Sequence, residues 1–254
     1  MRRLIIIRPD DRTIPERIFQ LVSLEQLGIE NDYIKEIPES IGNLVNLRTL
    51  SLSGKGVITI PESIGNLGKL DRLVFRRKVN CIPRGIGNLA SLKNFYVDGE
   101  FSTIPESLGL LKNLMRFECI APLESFPASA CELTNLKELF LLGAPMHKGI
   151  QNVFKISSLE QLGLGYCPIE ELPDDFSAMK NLIELSLSNT LIEKLPESML
   201  DMEKLQVLKI KNSKINSLPD WLVKMKSLRL IIVTDFSDNI PRHLKDSSIR
   251  ISLF

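Results

Sequence analysis

The chain has 254 residues, of which 44% are hydrophobic and 25% charged, and its formal net charge is +1 at pH 7. This composition is typical of a soluble globular protein, and so small a net charge gives no bulk electrostatic reason to expect nucleic acid or a membrane surface as partner. No run approaches the ~18 apolar residues of a transmembrane helix.

The first residues, MRRLIIIRPDD, place only four apolar residues before Arg8. Such a stretch is too short for the core of a signal peptide. The four cysteines are scattered and form no CxxC motif, which favours reduced thiols over disulfides or a metal site. We therefore expect a cytoplasmic protein, with delivery into a host cell as an effector left open.

The segment 37–52, IPESIGNLVNLRTLSL, is copied along the chain. Leu50 and Leu52 near its end alternate as the inward side chains of a β-strand do. Pro38 and Glu39 near its start suit the beginning of a short helical turn. Because the strand and the return arm each have only one apolar face, stacked copies are needed to form a core.

Eleven units of 22 or 23 residues begin at positions 2, 24, 47, 70, 92, 114, 136, 159, 182, 205 and 228. We predict that positions 4 and 6 of every unit point into the core, as in the pairs Ile5/Ile7, Leu50/Leu52 and Leu185/Leu187. A proline follows at position 14 or 15 in every unit except the one from Leu136. There the segment APMHKGIQNVFKIS predicts an irregular arm.

The pattern LxxLxLxx(N)x(I)xxLPxxIGxLxNL resembles the 22–23-residue leucine-rich repeat, as found in bacterial and plant intracellular proteins, over nearly the whole chain. The resemblance implies an α/β solenoid, curved like a horseshoe, with a parallel β-sheet on the concave face and short helical or 3₁₀ arms on the convex face. Residues 1–254 would form one domain. Position 9, usually asparagine in the family, is never asparagine here, so less regular turns are expected.

The two ends need separate treatment, because terminal repeats must cover the last apolar layer. In the N-terminal edge unit, 1–23, Arg8 and two earlier arginines are expected to provide a polar edge. In the C-terminal edge unit, 228–254, the sequence KDSSIRISLF predicts a final strand with Ile251 and Leu253 facing one way.

No constellation of residues points to an enzyme, a cofactor or a metal. The two histidines, His147 and His243, lie in different units. The glycines of Gly163–Gly165 fall at outward strand positions and not in a phosphate-binding turn. Acidic pairs such as Asp174 and Asp175 stand where carboxylates favour a helix start.

We instead expect a non-catalytic scaffold that binds a protein or peptide with an acidic rim and an apolar centre across strands four to eight. Leucine-rich repeats generally present outward strand side chains to such ligands, and aromatic residues and arginine are enriched at interfaces. The candidate partner-binding residues are Arg48, Arg72, Val74, Arg76, Arg77, Lys93, Tyr96, Arg116, Ile120, Phe140, Leu142 and Tyr166.

Two alternatives remain open at this stage. The chain could be the ligand-sensing segment of a larger signalling or immune-receptor protein, or an enzyme whose site the sequence does not reveal. Nucleic acid is the least favoured partner, because the arginines are not interleaved with enough aromatic residues.

Overall fold

The computed structural model describes residues 2–7, 11–146, 148–234 and 240–253. Over these residues the chain forms a single sheet of twelve strands that lie side by side in chain order, all parallel. The strands are β1 (Arg3–Ile7), β2 (Gln26–Glu30), β3 (Thr49–Ile58), β4 (Arg72–Val79), β5 (Asn94–Gly99), β6 (Arg116–Ile120), β7 (Glu138–Leu142), β8 (Gln161–Gly165), β9 (Glu184–Ser186), β10 (Val207–Ile210), β11 (Leu230–Val233) and β12 (Arg250–Leu253). The leucine-rich repeat solenoid predicted from the sequence is confirmed.

Short helices form the return arms. In the described part of the chain the 3₁₀ helices are Glu16–Gln20, Glu39–Asn43, Glu62–Asn66, Arg84–Asn88, Glu106–Leu110, Ala128–Glu132, Glu197–Asp201 and Asp220–Lys224, and the α-helices are α1 (Ile150–Val153) and α2 (Arg242–Lys245). A proline directly precedes each 3₁₀ helix with extended backbone, for example Pro38 at φ −71° and ψ 156°, because its ring fixes φ in a range that both states share. None of these helices is long and apolar enough to cross a membrane.

The core is a stack of layers, one per repeat. From the second unit onward, the predicted inward residues are at most 3% exposed. In the middle of the stack, phenylalanine rings of successive layers pack against one another. The ring centroid of Phe95 lies 6.2 Å from that of Phe75 and 5.2 Å from that of Phe117. Each buried side chain of this size stabilises the fold by about 1.5–3 kcal/mol.

The first strand corrects the register predicted for its unit. Leu4 and Ile6 pair with the inward residues of β2 and pack against the core, whereas Ile5 and Ile7 are 53% and 66% exposed on the concave face. The prediction that Ile5 and Ile7 point inward, and that this unit begins at residue 2, is wrong by one residue. A slip of one residue exchanges the two faces of a strand. Arg8, assigned to the polar edge, lies outside the described residues.

One turn is held by an asparagine side chain, but at position 8 of its unit and not at position 9, where the family pattern has asparagine. The buried Asn31 accepts hydrogen bonds at Oδ1 from the amides of Tyr33 and Ile34, both at 2.7 Å, and its Nδ2 donates to Asp11 O at 2.8 Å. In a later turn a hydroxyl group forms the corresponding hydrogen bond to the backbone, since Thr190 Oγ1 donates to Leu187 O at 2.8 Å. The turns are therefore held by different side chains along the array, consistent with the expected irregularity.

Regular cross-links between repeats occur on the arms. The asparagine before the first leucine of a unit donates to a backbone carbonyl of the preceding repeat, as Asn46 does to Val22 O and Asn113 to Ala90 O, both at 2.8 Å. The carboxylate of Glu106 accepts from the amides of Ala128 and Ser129 at the start of the next arm. These bonds hold the pKa of Glu106 below its ordinary value, with the Ser129 amide contributing most.

The segment predicted to be irregular contains α1. Gly149 precedes it in the left-handed region at φ 76°, and a Cβ there would come 2.5 Å from Phe126 O, so glycine is required. Val153 and Phe154 then bury the apolar side of this arm. His147, in the same segment, lies outside the described residues.

The final strand confirms the prediction for the C-terminal unit. β12 pairs with β11 so that Ile251 lies beside Ile231 and Leu253 beside Val233. Ile251 is half-buried, while Leu253 is 44% exposed.

All four cysteines are free. Cys81 and Cys131 are exposed, and Cys119 and Cys167 are buried. Burial raises the pKa of both buried thiols, so they behave as small apolar core residues.

Candidate ligand-binding face

The outward side chains of β4 to β8 form the middle of the concave face. The strand register places them in rows that run across the sheet. One row contains Val74, Tyr96, Glu118, Phe140 and Gly163, and a parallel row contains Arg72, Asn94, Arg116, Glu138 and Gln161. The predicted candidates on these strands therefore lie on one continuous surface.

A shallow depression, here called the basic recess, lies between β4 and β6. It is lined by Arg72, Val74, Arg76, Asn94, Tyr96, Arg116 and Glu118. Arg116 is paired with Glu138 and, at 3.1 Å, with Glu118. No ion pair within 4.0 Å joins Arg72 or Arg76 to another described residue. The recess thus presents two exposed guanidinium groups without a carboxylate of their own.

Tyr96 is the aromatic residue that lines the basic recess. The side chain is half-buried, and burial raises its pKa, with further contributions from the carboxylates of Glu118 and Asp98. The phenol therefore stays protonated at neutral pH and can donate a hydrogen bond to an acceptor on a ligand.

Next to the recess, Phe140 and Leu142 of β7 form what we call the apolar shelf. The ring of Phe140 lies over Gly163, where a Cβ would come 2.6 Å from Phe140 Cδ1, and Leu142 lies over Gly165 in the same way at 2.9 Å. These two glycines, which the sequence analysis placed outside any phosphate-binding turn, thus make room for the side chains of Phe140 and Leu142. The guanidinium of Arg116 stands 5.0 Å from the Phe140 ring centroid, a cation–π distance that joins shelf and recess.

Tyr166 stands at the end of β8, beside the shelf. The side chain is 69% exposed, and its backbone has φ 56°, in the left-handed region. The same position in the neighbouring repeats is held by Gly143, Asn189 and Asn212, all with positive φ. Glycine and asparagine adopt this conformation readily, whereas for other residues sparsely populated backbone regions cost about 1–3 kcal/mol.

Two of the predicted contact residues do not reach the surface. Arg77 is 3% exposed and donates to the carbonyls of Asn31 and Ile34, both at 2.8 Å, and of Lys55 at 3.1 Å. Its burial follows the alternation of β4, in which Phe75 and Val79 are also buried while Arg76 and Lys78 are exposed. The prediction that Arg77 faces outward is therefore wrong. Burial lowers the pKa of Arg77, opposed by the charge of Asp32.

Val74 is the second correction, because it is only 8% exposed. It lies between Ser51 and Tyr96 on the neighbouring strands and offers little area for contact. Arg48 and Lys93 are exposed and Ile120 is half-buried, so these three remain candidates. The sequence-based set also omitted Asn94 and Glu138, which their outward strand positions could have indicated.

The described residues offer no other obvious chemistry. They contain no group of three or more His, Cys, Asp or Glu side chains that could hold a metal ion. His243 contacts Asp220 at 2.9 Å near the C-terminal end, away from the concave strands.

A family model described as the leucine-rich repeat region matches residues 8–140. No curated protein matches the chain. Similar solved structures include a leucine-rich repeat protein of Leptospira interrogans, with 23% sequence identity and a TM-score of 0.54. That match covers 94% of this chain and 81% of the other.

Two further structures are similar to this chain. One is the ectodomain of the plant membrane receptor kinase GASSHO1/SCHENGEN3 from Arabidopsis thaliana, solved in complex with CASPARIAN STRIP INTEGRITY FACTOR 2. It shows 24% identity and a TM-score of 0.64 over 87% of this chain and 28% of that one. The other is InlJ from Listeria monocytogenes, with 19% identity and a TM-score of 0.67 over 85% of this chain and 46% of that one. At these identities the likeness establishes the fold, and this chain spans less than half of either protein.

Proposed function

The chain belongs to the leucine-rich repeat family, and on that premise we propose that it is a non-catalytic scaffold that binds a protein or peptide segment on its concave face. The observation that carries the proposal is the basic recess, where Arg72 and Arg76 are exposed beside the phenol of Tyr96. Unpaired arginines next to an aromatic side chain are the composition of interface hot spots. Folding alone does not require them, because all three side chains point away from the core.

The charge of the recess favours an acidic ligand. Arg116 is already neutralised by Glu118 and Glu138, which leaves Arg72 and Arg76 to receive carboxylates from a partner. A solenoid is rigid before binding, so little conformational entropy is lost when an extended segment is placed on it. The complex of the Arabidopsis receptor ectodomain with CASPARIAN STRIP INTEGRITY FACTOR 2 gives further support at the level of fold.

The test compares charge reversal in the recess with a matched reversal elsewhere. The recess variant is R72E/R76E, and the control K180E/K226E reverses two exposed lysines at the ends of return arms. Each protein is immobilised and used to capture partners from native lysate, with quantitative mass spectrometry as the readout. We expect at least one partner that wild type and the control retain and the recess variant loses. Capture of the same proteins by all three would remove the concave face from consideration.

A second proposal is that the chain is the ligand-sensing segment of a larger signalling protein. It is favoured by the small fraction of the plant receptor ectodomain, 28%, that the chain spans. An antibody against the chain, used on denatured extract of the source cells, should then detect a species much larger than 28.7 kDa. A band at that mass alone would exclude this proposal.

We also propose a cytoplasmic location, supported by four free cysteines in a chain that forms its core without disulfides. Alkylation of intact cells before lysis should find the thiols reduced. Recovery of a disulfide-bonded protein from the source would contradict this location.

A further inference from the structure

Tyr166 occupies a turn position that its neighbours fill with residues better suited to it. Its amide donates to Ser188 O at 3.2 Å, just as the amide of Asn189 in the next repeat donates to Lys211 O at 2.7 Å. The turn therefore needs the left-handed backbone and the amide but not the phenol ring. Since 69% of the tyrosine is exposed, packing does not compensate for its unfavourable backbone conformation either.

Tyr166 lies next to the apolar shelf, at the end of the neighbouring strand β8. It directly follows Gly165, whose missing side chain admits Leu142, so the tyrosine stands at the margin of the apolar shelf. The shelf in turn adjoins the basic recess through Arg116 and Phe140. Charged and apolar parts of one surface thus lie next to each other on consecutive strands.

We propose that Tyr166 and the apolar shelf together bind one bulky apolar side chain of the same acidic segment whose carboxylates occupy the basic recess. This inference rests on the proposed function and specifies its ligand. The centre of the recess on β5 and the centre of the shelf between β7 and β8 are about 12 Å apart at the usual strand spacing of about 4.8 Å. An extended peptide covers that distance in about four residues at about 3.3 Å each.

The test uses fluorescein-labelled peptides of fixed design and fluorescence anisotropy. The matched peptide has a block of glutamates and one tryptophan about four residues away, made in both chain directions. In a second peptide the tryptophan lies about nine residues away, and in a third it is replaced by serine. Each is titrated against wild type, Y166N and Y166F. Asparagine is the matched substitution, because it stands at the same backbone position in the next two repeats.

We expect wild type and Y166F to bind the matched peptide about tenfold more tightly than the serine peptide. Y166N should lose that preference while binding the serine peptide as wild type does. Its melting temperature should be equal or higher, because asparagine relieves the backbone. A clearly lower melting temperature would make the tyrosine a structural residue and overturn the inference.

Three other results would also count against it. If wild type binds all acidic peptides equally, or if Y166N keeps the preference for tryptophan, the inference fails while the proposed function stands. If wild type binds none of the acidic peptides, the inference and the acidic ligand proposed for the recess both fail.

Discussion

Replacing Arg77 by methionine removes the only side chain described here that joins three successive turns. Its guanidinium donates to the carbonyls of Asn31, Ile34 and Lys55. Hydrogen bonds from charged groups contribute about 1.5–3 kcal/mol each. Against this, the buried Nε has no partner, which costs about 1–3 kcal/mol. Since methionine keeps much of the apolar volume, three such bonds less the cost of the unpartnered Nε lead us to expect that R77M destabilises this part of the array by about 2–8 kcal/mol.

The matched control is R76M, one residue away and exposed, which should change stability by less than about 0.5 kcal/mol. Hydrogen exchange read by mass spectrometry measures the free energy of local opening. In R77M the loss of protection should be confined to peptides from 26–60 and 72–79, with peptides from 182–210 unchanged. A loss below about 1 kcal/mol, or an equal loss in both regions, would refute the assignment of Arg77 as a link between turns.

Three further predictions follow from single residues. In a urea titration, G54A should lower the free energy of unfolding by about 2–4 kcal/mol, because φ is +133° and a Cβ would lie 2.0 Å from a backbone carbonyl oxygen. The control G68A, with open space around the glycine, should leave the free energy of unfolding nearly unchanged. The lowered pKa of Glu106 means that its stabilising contribution is present above the unfolded-state pKa and is lost as pH falls through the folded-state pKa, so the stability difference between wild type and E106Q should shrink as the pH falls below the unfolded-state value of about 4.3. Iodoacetamide on the native protein should modify only Cys81 and Cys131; modification of all four thiols before unfolding would contradict the burial of the others.

Most of the fold could be predicted from the sequence, because the spacing of the repeats and the apolar character of the inward positions indicate the same strands. From Leu27 to Val233, each inward pair is apolar and recurs at the same position of a 22- or 23-residue unit, so the repeat fixes the register even in β7 and β11, where the outward residues are apolar too. It fails in β1, where four apolar residues in a row, Leu4 to Ile7, satisfy either register. Only pairing with β2 decides which of them face the core.

The candidate site was predictable only in part. The exposed arginines and Tyr96 follow from strand alternation, and so does the inward direction of Arg77. Alternation does not reveal that the Arg77 guanidinium reaches carbonyls 43 and 46 residues away in sequence. The apolar shelf could have been anticipated, since Gly163 lies opposite Phe140 in the register that the repeat itself implies. The positive φ of Tyr166 could have been suspected from Gly143 and the two asparagines at equivalent positions.

The reach of Arg77 across two repeats also bears on how such an array can change in evolution. Solenoids lengthen and shorten by duplication and deletion of whole repeats, and this is tolerated because each unit contacts only its neighbours. A deletion of 182–204 would bring together two repeats whose facing surfaces resemble those of any other neighbouring pair. A deletion of 47–69 would instead remove Lys55 and shift Asn31 and Ile34 by one layer relative to the guanidinium that their carbonyls hold. The second to fourth repeats are therefore expected to be inherited as a block, while the later repeats are free to vary in number.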